Sequence, residues 1–229
     1  MVMKLRYPYQ NPVDALLNYL KVRPHDTFLI NEHGLSLTYE DLYKSSAKLA
    51  NSLGRLDVGY GGDKVAVVMN NSIEAVISLF AVWMLGASAV LIDPLTTSED
   101  LDYQLSDLTP KVIIADRPVI EREATVLFKY RIIGVDTSRQ GVLSFQELLG
   151  SGSITGFRPA EVRVDDVGLI YYYAGIAGRT MQVWHTYFSL YSGPYAFGEA
   201  IGLSPPRTLC LWLPSYPTYS ALPSSCRPS

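Results

Sequence analysis

The 229-residue chain is long enough for one large domain that buries its own core. Its 48% hydrophobic and 18% charged residues exclude a disordered chain, and 19 basic against 22 acidic side chains, a net charge of −3, leave no basic field for nucleic acid. Two cysteines, Cys210 and Cys226, are too few for a disulfide framework or a multi-cysteine metal site, so the expected setting is reducing and cytoplasmic.

Period and punctuation predict helix alternating with strand. Pro12 stands at a first helical position, with Val13, Leu16, Leu17 and Leu20 as an apolar stripe. Thr38, followed by Glu40 and Asp41, caps a second helix whose apolar face is Leu42, Ala47, Leu49, Ala50 and Leu53. Gly59-Tyr-Gly-Gly-Asp is a turn into Lys64-Val-Ala-Val-Val-Met, a short apolar run that suits a buried parallel strand. Ser72 caps the next helix, which ends near Gly86, and a strand over 88–92 follows. Thr97 or Ser98 caps a helix over 99–107, and Lys111–Ala115 and Arg131–Val135 read as further strands. A Gly/Ser-rich connector over 150–166 leads to the strand Val167–Tyr173. A helix from about Thr186 to Gly202 must accommodate Gly193-Pro194, which predicts a kink or a break. Strands separated by helices imply right-handed crossovers and an α/β fold with a parallel sheet covered on both faces.

The start, Met1 to Pro8, lacks the apolar stretch of a secretory signal. The one membrane candidate is the uncharged eighteen-residue run Ala75–Ile92. Gly86 within it, acidic flanks at Glu74 and Asp93, and no basic residue nearer than Lys64 and Lys111 favour a core helix, a turn and a buried strand instead. No membrane span is expected.

A strand, a glycine loop and a helix together offer backbone N–H groups and a positive helix end to a phosphate. Tyr171-Tyr-Tyr-Ala-Gly-Ile-Ala-Gly-Arg-Thr supplies such a loop, with Gly175 and Gly178 three apart and Arg179 as its one basic side chain. The spacing matches neither standard phosphate-loop fingerprint, and a ligand-free turn uses the same glycines. His25, His33 and His185 are scattered, with no cysteine or carboxylate at metal spacing. All seven lysines lie between Lys4 and Lys129, so no mechanism that needs a lysine in the last 100 residues is open to this chain.

The motif order Leu37-Thr-Tyr-Glu-Asp-Leu, Gly62-Asp-Lys-Val-Ala-Val-Val-Met-Asn-Asn-Ser-Ile-Glu, Ala81-Val-Trp-Met-Leu-Gly-Ala, Ile92-Asp-Pro-Leu-Thr-Thr and Lys111-Val-Ile-Ile-Ala-Asp resembles the N-terminal domain of the adenylate-forming (AMP-binding) enzymes. Within them it looks most like the acyl-CoA synthetases, the fatty-acid–CoA ligases. The resemblance runs over about residues 12–222 and implies Mg-ATP and CoA as cofactors and a carboxylic acid or acyl-CoA as partner. It implies an incomplete AMP-binding domain over 1–203, then a last core strand at about 208–213 and a Pro/Ser-rich tail within 204–229.

The family phosphate loop, Tyr-Thr-Ser-Gly-Thr-Thr-Gly-x-Pro-Lys, falls on Tyr172, Tyr173, Ala174, Gly175, Ile176, Ala177, Gly178, Arg179, Thr180 and Met181. Tyr172, Gly175 and Gly178 match. Tyr173 stands at the first Thr place, the hydroxyls at the Ser and the two following Thr places are gone with Ala174, Ile176 and Ala177, Thr180 replaces the Pro, and Met181 stands where the lysine ammonium belongs. Each lost charged hydrogen bond costs on the order of 1.5–3 kcal/mol of phosphate affinity. Further on, Leu211-Trp-Leu-Pro-Ser-Tyr-Pro echoes the segment facing the acyl and adenylate pocket, with Tyr216 at its aromatic place and Pro217 at its histidine place. The family's later motifs and its catalytic lysine are absent after Leu222. The expectation is a truncated, degenerate relative without a catalytic residue of its own; the alternatives are a non-catalytic acyl- or partner-binding module, or a frameshifted product without a role. The apolar run Leu209-Cys-Leu-Trp-Leu, left as an exposed edge, would invite self-association.

Overall fold

A computed structural model describes residues 6–31, 33–174 and 180–202. The expected strand at 208–213, the tail, and Tyr216 and Pro217 lie outside the described residues.

Local signals start most of the elements. Asn11 accepts from the Asp14 amide and Pro12 opens α1 (Pro12–Val22). A small antiparallel pair, β1 (Thr27–Ile30) with β2 (Ser36–Thr38), leads to α2 (Tyr39–Gly54). There Thr38 and Asp41 form a reciprocal capping box. After β3 (Lys64–Val68), Ser72 caps α3 (Ile73–Met84), and β4 (Ser88–Leu91) follows. Thr97, not Ser98, caps α4 (Ser98–Leu108). Then come β5 (Val112–Asp116), the short helices α5 (Arg117–Arg122) and α6 (Ala124–Leu127), β6 (Ile132–Val135), β7 (Leu143–Ser144) and α7 (Phe145–Ser151). The chain closes with β8 (Val167–Ala174), β9 (Thr180–Thr186) and α8 (Tyr187–Ala200).

Seven strands form one sheet in the order β7-β6-β5-β3-β4-β8-β9, parallel throughout except for the antiparallel β8–β9 pair. The pleat sorts side chains to two cores. Val65, Val67, Ala89, Val112 and Ile114 pack against α2 and α3, whereas Ala66, Val68, Val90, Ile113 and Ala115 pack against α4, α5 and α6. This is the expected α/β fold, covered on both faces.

The uncharged run at 75–92 is core sequence: α3 lies in the first core, and Val90 and Ile92 after it lie in the second. Every residue of α3 except Glu74 is buried. Its twelve residues span roughly 18 Å, short of the roughly 30 Å of a bilayer interior. Among the described residues no helix is long and apolar enough to cross a membrane.

Two expectations change. The segment directly after the glycine loop, Thr180-Met-Gln-Val-Trp-His-Thr, is a strand rich in β-branched and aromatic residues that pairs with β8, while the helix starts at the expected place, after Thr186, whose hydroxyl accepts from the Ser189 amide. The glycine loop therefore joins two strands and does not open a helix. Of the kink or break expected at Gly193-Pro194, the break is absent, since α8 runs through Pro194 as one element.

Candidate functional site

In an open parallel sheet ligands bind beyond the carboxyl ends of the strands. The phosphate-loop candidate sits at such an end, after β8 and beside β4. Hydrogen bonds anchor the opposite, amino end of β8: Trp83 Nε1 donates to the Gly168 carbonyl at 2.8 Å, and Ser88 Oγ donates to the Val167 carbonyl at 2.7 Å. The β8–β9 register continues to Ala174 opposite Thr180, so the hairpin is paired up to both ends of the loop. Gly175, Ile176, Ala177, Gly178 and Arg179 themselves lie outside the described residues.

The residues flanking the loop divide between the two faces. Tyr172 points into the second core, 8% exposed, and its hydroxyl donates to Asp107 Oδ2 at 2.7 Å. Gln182, directly opposite Tyr172 in the register, donates through Nε2 to the same carboxylate oxygen at 2.5 Å and to the Tyr172 hydroxyl at 3.1 Å. Trp184 Nε1 in turn donates to Gln182 Oε1 at 2.6 Å. This network ties the end of α4 to both strands at the base of the loop. Burial, and then the bond to the Asp107 carboxylate, hold the Tyr172 phenol far above its ordinary value, so it stays a proton donor. Sequence reasoning picked out Tyr172 but neither Asp107 nor Gln182, which lie 65 and 10 residues away. Only the two-residue period of facing strands, once β9 is recognised, puts Gln182 opposite Tyr172.

On the other face Tyr173 and Met181 are register partners, 53% and 60% exposed. Met181, at the lysine place, brings a neutral thioether and no charge. His185 stacks on Tyr171 with centroids 5.6 Å apart and sets its Nδ1 3.3 Å from Ser189 Oγ, so it is a strand residue in an aromatic contact. His25 Nδ1 lies 3.6 Å from Glu40 Oε2, far along the chain. Among the described residues no group of His, Cys, Asp and Glu is arranged to hold a metal ion.

A second carboxyl-end feature lies where the strand order reverses. β3 leads to β4 on one side and β5 leads to β6 on the other, and between their ends opens a cleft of about 500 Å³. Asn70 and Asp116 meet across it, the Asn70 amides 3.4 Å from Asp116 Oδ2. Its lining holds four carboxylates, from Glu74, Asp116, Glu121 and Asp136, against the single guanidinium of Arg117. That balance repels a polyphosphate.

Comparison with known proteins gives this geometry its context. The family model described as "AMP-binding enzyme" matches residues 18–223. The chain is 29% identical over 181 residues to the long-chain-fatty-acid–CoA ligase FadD13 of Mycobacterium tuberculosis, covering 79% of this chain and 35% of that protein. It is 25% identical over 189 residues to the 2-succinylbenzoate–CoA ligase of Bacillus velezensis, covering 82% and 36%. The crystal structure of a long-chain-fatty-acid–CoA ligase, FadD1, from Archaeoglobus fulgidus superposes with a TM-score of 0.78 at 27% identity, over 88% of this chain and 41% of that one. The chain thus spans about a third to two-fifths of the length of these relatives. With the family model matched along most of its length and the sheet superposed on a solved ligase, the chain belongs to the AMP-binding enzyme family.

Proposed function

We propose that these 229 residues keep the fold of an acyl-CoA synthetase N-terminal domain but do not by themselves convert a carboxylic acid and ATP to an acyl-adenylate. The observation that carries this reading is the loop composition: at Ala174, Ile176, Ala177 and Met181 it has neither the hydroxyls nor the ammonium that the family places against the phosphates. Two of the flanking side chains, Tyr172 and Met181, do not replace them. The Tyr172 hydroxyl is engaged by Asp107, and Met181 is exposed and neutral. The composition of the loop therefore does not fit the β- and γ-phosphates of Mg-ATP, and no step is assigned through it. Tyr216 and Pro217 remain the sequence-based candidates for an acyl pocket.

Melting the protein with and without Mg-ATP, AMP and CoA tests this. A ligand at 100 times its Kd stabilises by about 2.7 kcal/mol, and each kcal/mol moves the midpoint of a domain this size by roughly 2–4 °C. The expected shift with each ligand at millimolar concentration is under about 1 °C on that scale. A rise of several degrees with Mg-ATP would show that the loop still binds it.

One observation favours a second reading, a non-catalytic module for an acyl chain or acyl-CoA. Tyr7 stands edge-on to Phe188 and Tyr195, with centroids 5.2 and 5.7 Å away, and Tyr9 stands edge-on to Tyr191 at 5.6 Å, so α8 carries an aromatic surface. Calorimetry with a fatty acid and with an acyl-CoA tests it; heat from either supports the module, and its absence from both rejects it.

A further inference from the structure

The two edges of the sheet are unlike. β7 has two residues, too short to template another strand. β9 has seven, and among the described residues it pairs only with β8. Soluble proteins blunt long edges with lysine, proline, inward charges or bulges. Thr180-Met-Gln-Val-Trp-His-Thr has no proline and no Lys, Arg, Asp or Glu. The irregularity in its pairing falls between Val167 and Leu169 on the neighbouring strand, which leaves unbroken register from Leu169–His185 to Ala174–Thr180. Apolar side chains stand out beside this edge on both faces: Met181, 60% exposed, on one and Trp184, 54% exposed, on the other.

We propose that β9 is the docking edge for a second copy of this chain, the two β9 strands pairing antiparallel about a two-fold axis at Val183. The sequence of the strand selects this occupant. Antiparallel pairing centred on Val183 sets Met181 opposite the partner's His185 and Gln182 opposite the partner's Trp184, with each pair on one face. No formal charge meets its like, which is the arrangement that penalises self-pairing when strand residues are charged. The Gln182 carboxamide, already accepting from Trp184 in its own strand, faces a second indole across the axis. A two-fold contact of this kind is isologous and closes on itself, so it ends at the dimer. The exposed Trp184 and Met181 side chains are buried in the same step.

Light scattering on the eluting full chain at tens of micromolar should give twice the 25.4 kDa chain mass. The double variant Met181→Lys, Trp184→Lys should fall to the mass of one chain with its far-UV circular dichroism unchanged. Leu143→Lys, on the opposite edge, should stay dimeric. Hydrogen exchange of the wild-type chain provides a readout without substitution: protection of the β9 amides should fall on hundredfold dilution while that of β5 does not change. A wild-type chain at the mass of one copy, a folded double variant that remains dimeric, or β9 protection independent of concentration would each overturn the proposal.

Discussion

The fully buried Tyr187 hydroxyl donates to the Ala87 carbonyl at 2.8 Å, joining the first residue of α8 to the turn between α3 and β4. The Tyr187 amide also donates to the Asp166 carbonyl at the start of β8. One residue thus closes the β8–β9–α8 unit onto the first core. Replacing Tyr187 by Phe keeps the ring and leaves the Ala87 carbonyl without its donor. The expected cost is about 1–2 kcal/mol, read as a lower urea midpoint with an unchanged slope. An unchanged midpoint would mean that water satisfies the carbonyl equally well.

Gly86, in that same turn, has φ +71°, and a Cβ there would lie 2.8 Å from the Tyr60 ring, 3.2 Å from the Ala160 side chain and 3.2 Å from the Val162 side chain. Tyr60 is exposed and can swing away, but the connector carrying Ala160 and Val162 is held by the Ala160 amide on the Met84 carbonyl. Gly86→Ala therefore combines left-handed strain with overpacking, an expected loss of about 1–3 kcal/mol in chemical denaturation. Gly59→Ala, with open space around its position, should cost much less.

Glu123 is a buried carboxylate, 3% exposed, that accepts from Ser98 Oγ at 2.6 Å and from Arg122 Nε at 2.7 Å. The Ser98 hydrogen bond first, opposed by burial and aided by Arg122, lowers its pKa below the ordinary 4.5. Stability from this group is present above about pH 4.5 and is lost as the pH falls through the lower folded value. Glu123→Gln should flatten the acid side of the stability profile below pH 4.5 and leave its neutral side parallel to wild type. A variant whose acid limb is as steep as wild type would place the titration elsewhere.

Tyr187 acts with the opposite sign. Burial raises its phenol above the ordinary 10.0, so its contribution is complete below pH 10 and is lost as the pH rises beyond it, where the unfolded chain ionises first. Tyr187→Phe should remove part of the alkaline limb above pH 10, measured by denaturation from pH 8 to 11. An alkaline limb that keeps its full slope in the variant would assign that titration to other tyrosines.

The parts of the fold legible in the sequence are those that local chemistry specifies. Pro12, Thr38, Ser72 and Thr97 start helices where capping rules place them, and the apolar runs at 64–68, 88–91, 112–116 and 132–135 are buried parallel strands. The short helices α5, α6 and α7 and the exposed pair β1–β2 carry too few residues for a period to emerge, and tertiary packing decides them. β9 was hidden by the glycine loop before it, which suggested a helix to follow, while the alternation of Thr180, Met181, Gln182, Val183 and Trp184 argued for a strand. At the candidate site the glycine spacing and the missing lysine are properties of the chain itself. The Asp107–Tyr172–Gln182 network joins residues that only the folded sheet brings together.

Whether this chain forms an acyl-adenylate by itself is read from pyrophosphate release by the purified 229-residue chain given Mg-ATP and, in turn, short-, medium- and long-chain fatty acids and aromatic acids. Release should stay at the rate of the acid-free control with every acid. Release that depends on both ATP and one of the acids, and that disappears when Gly175 and Gly178 are replaced, would contradict this expectation.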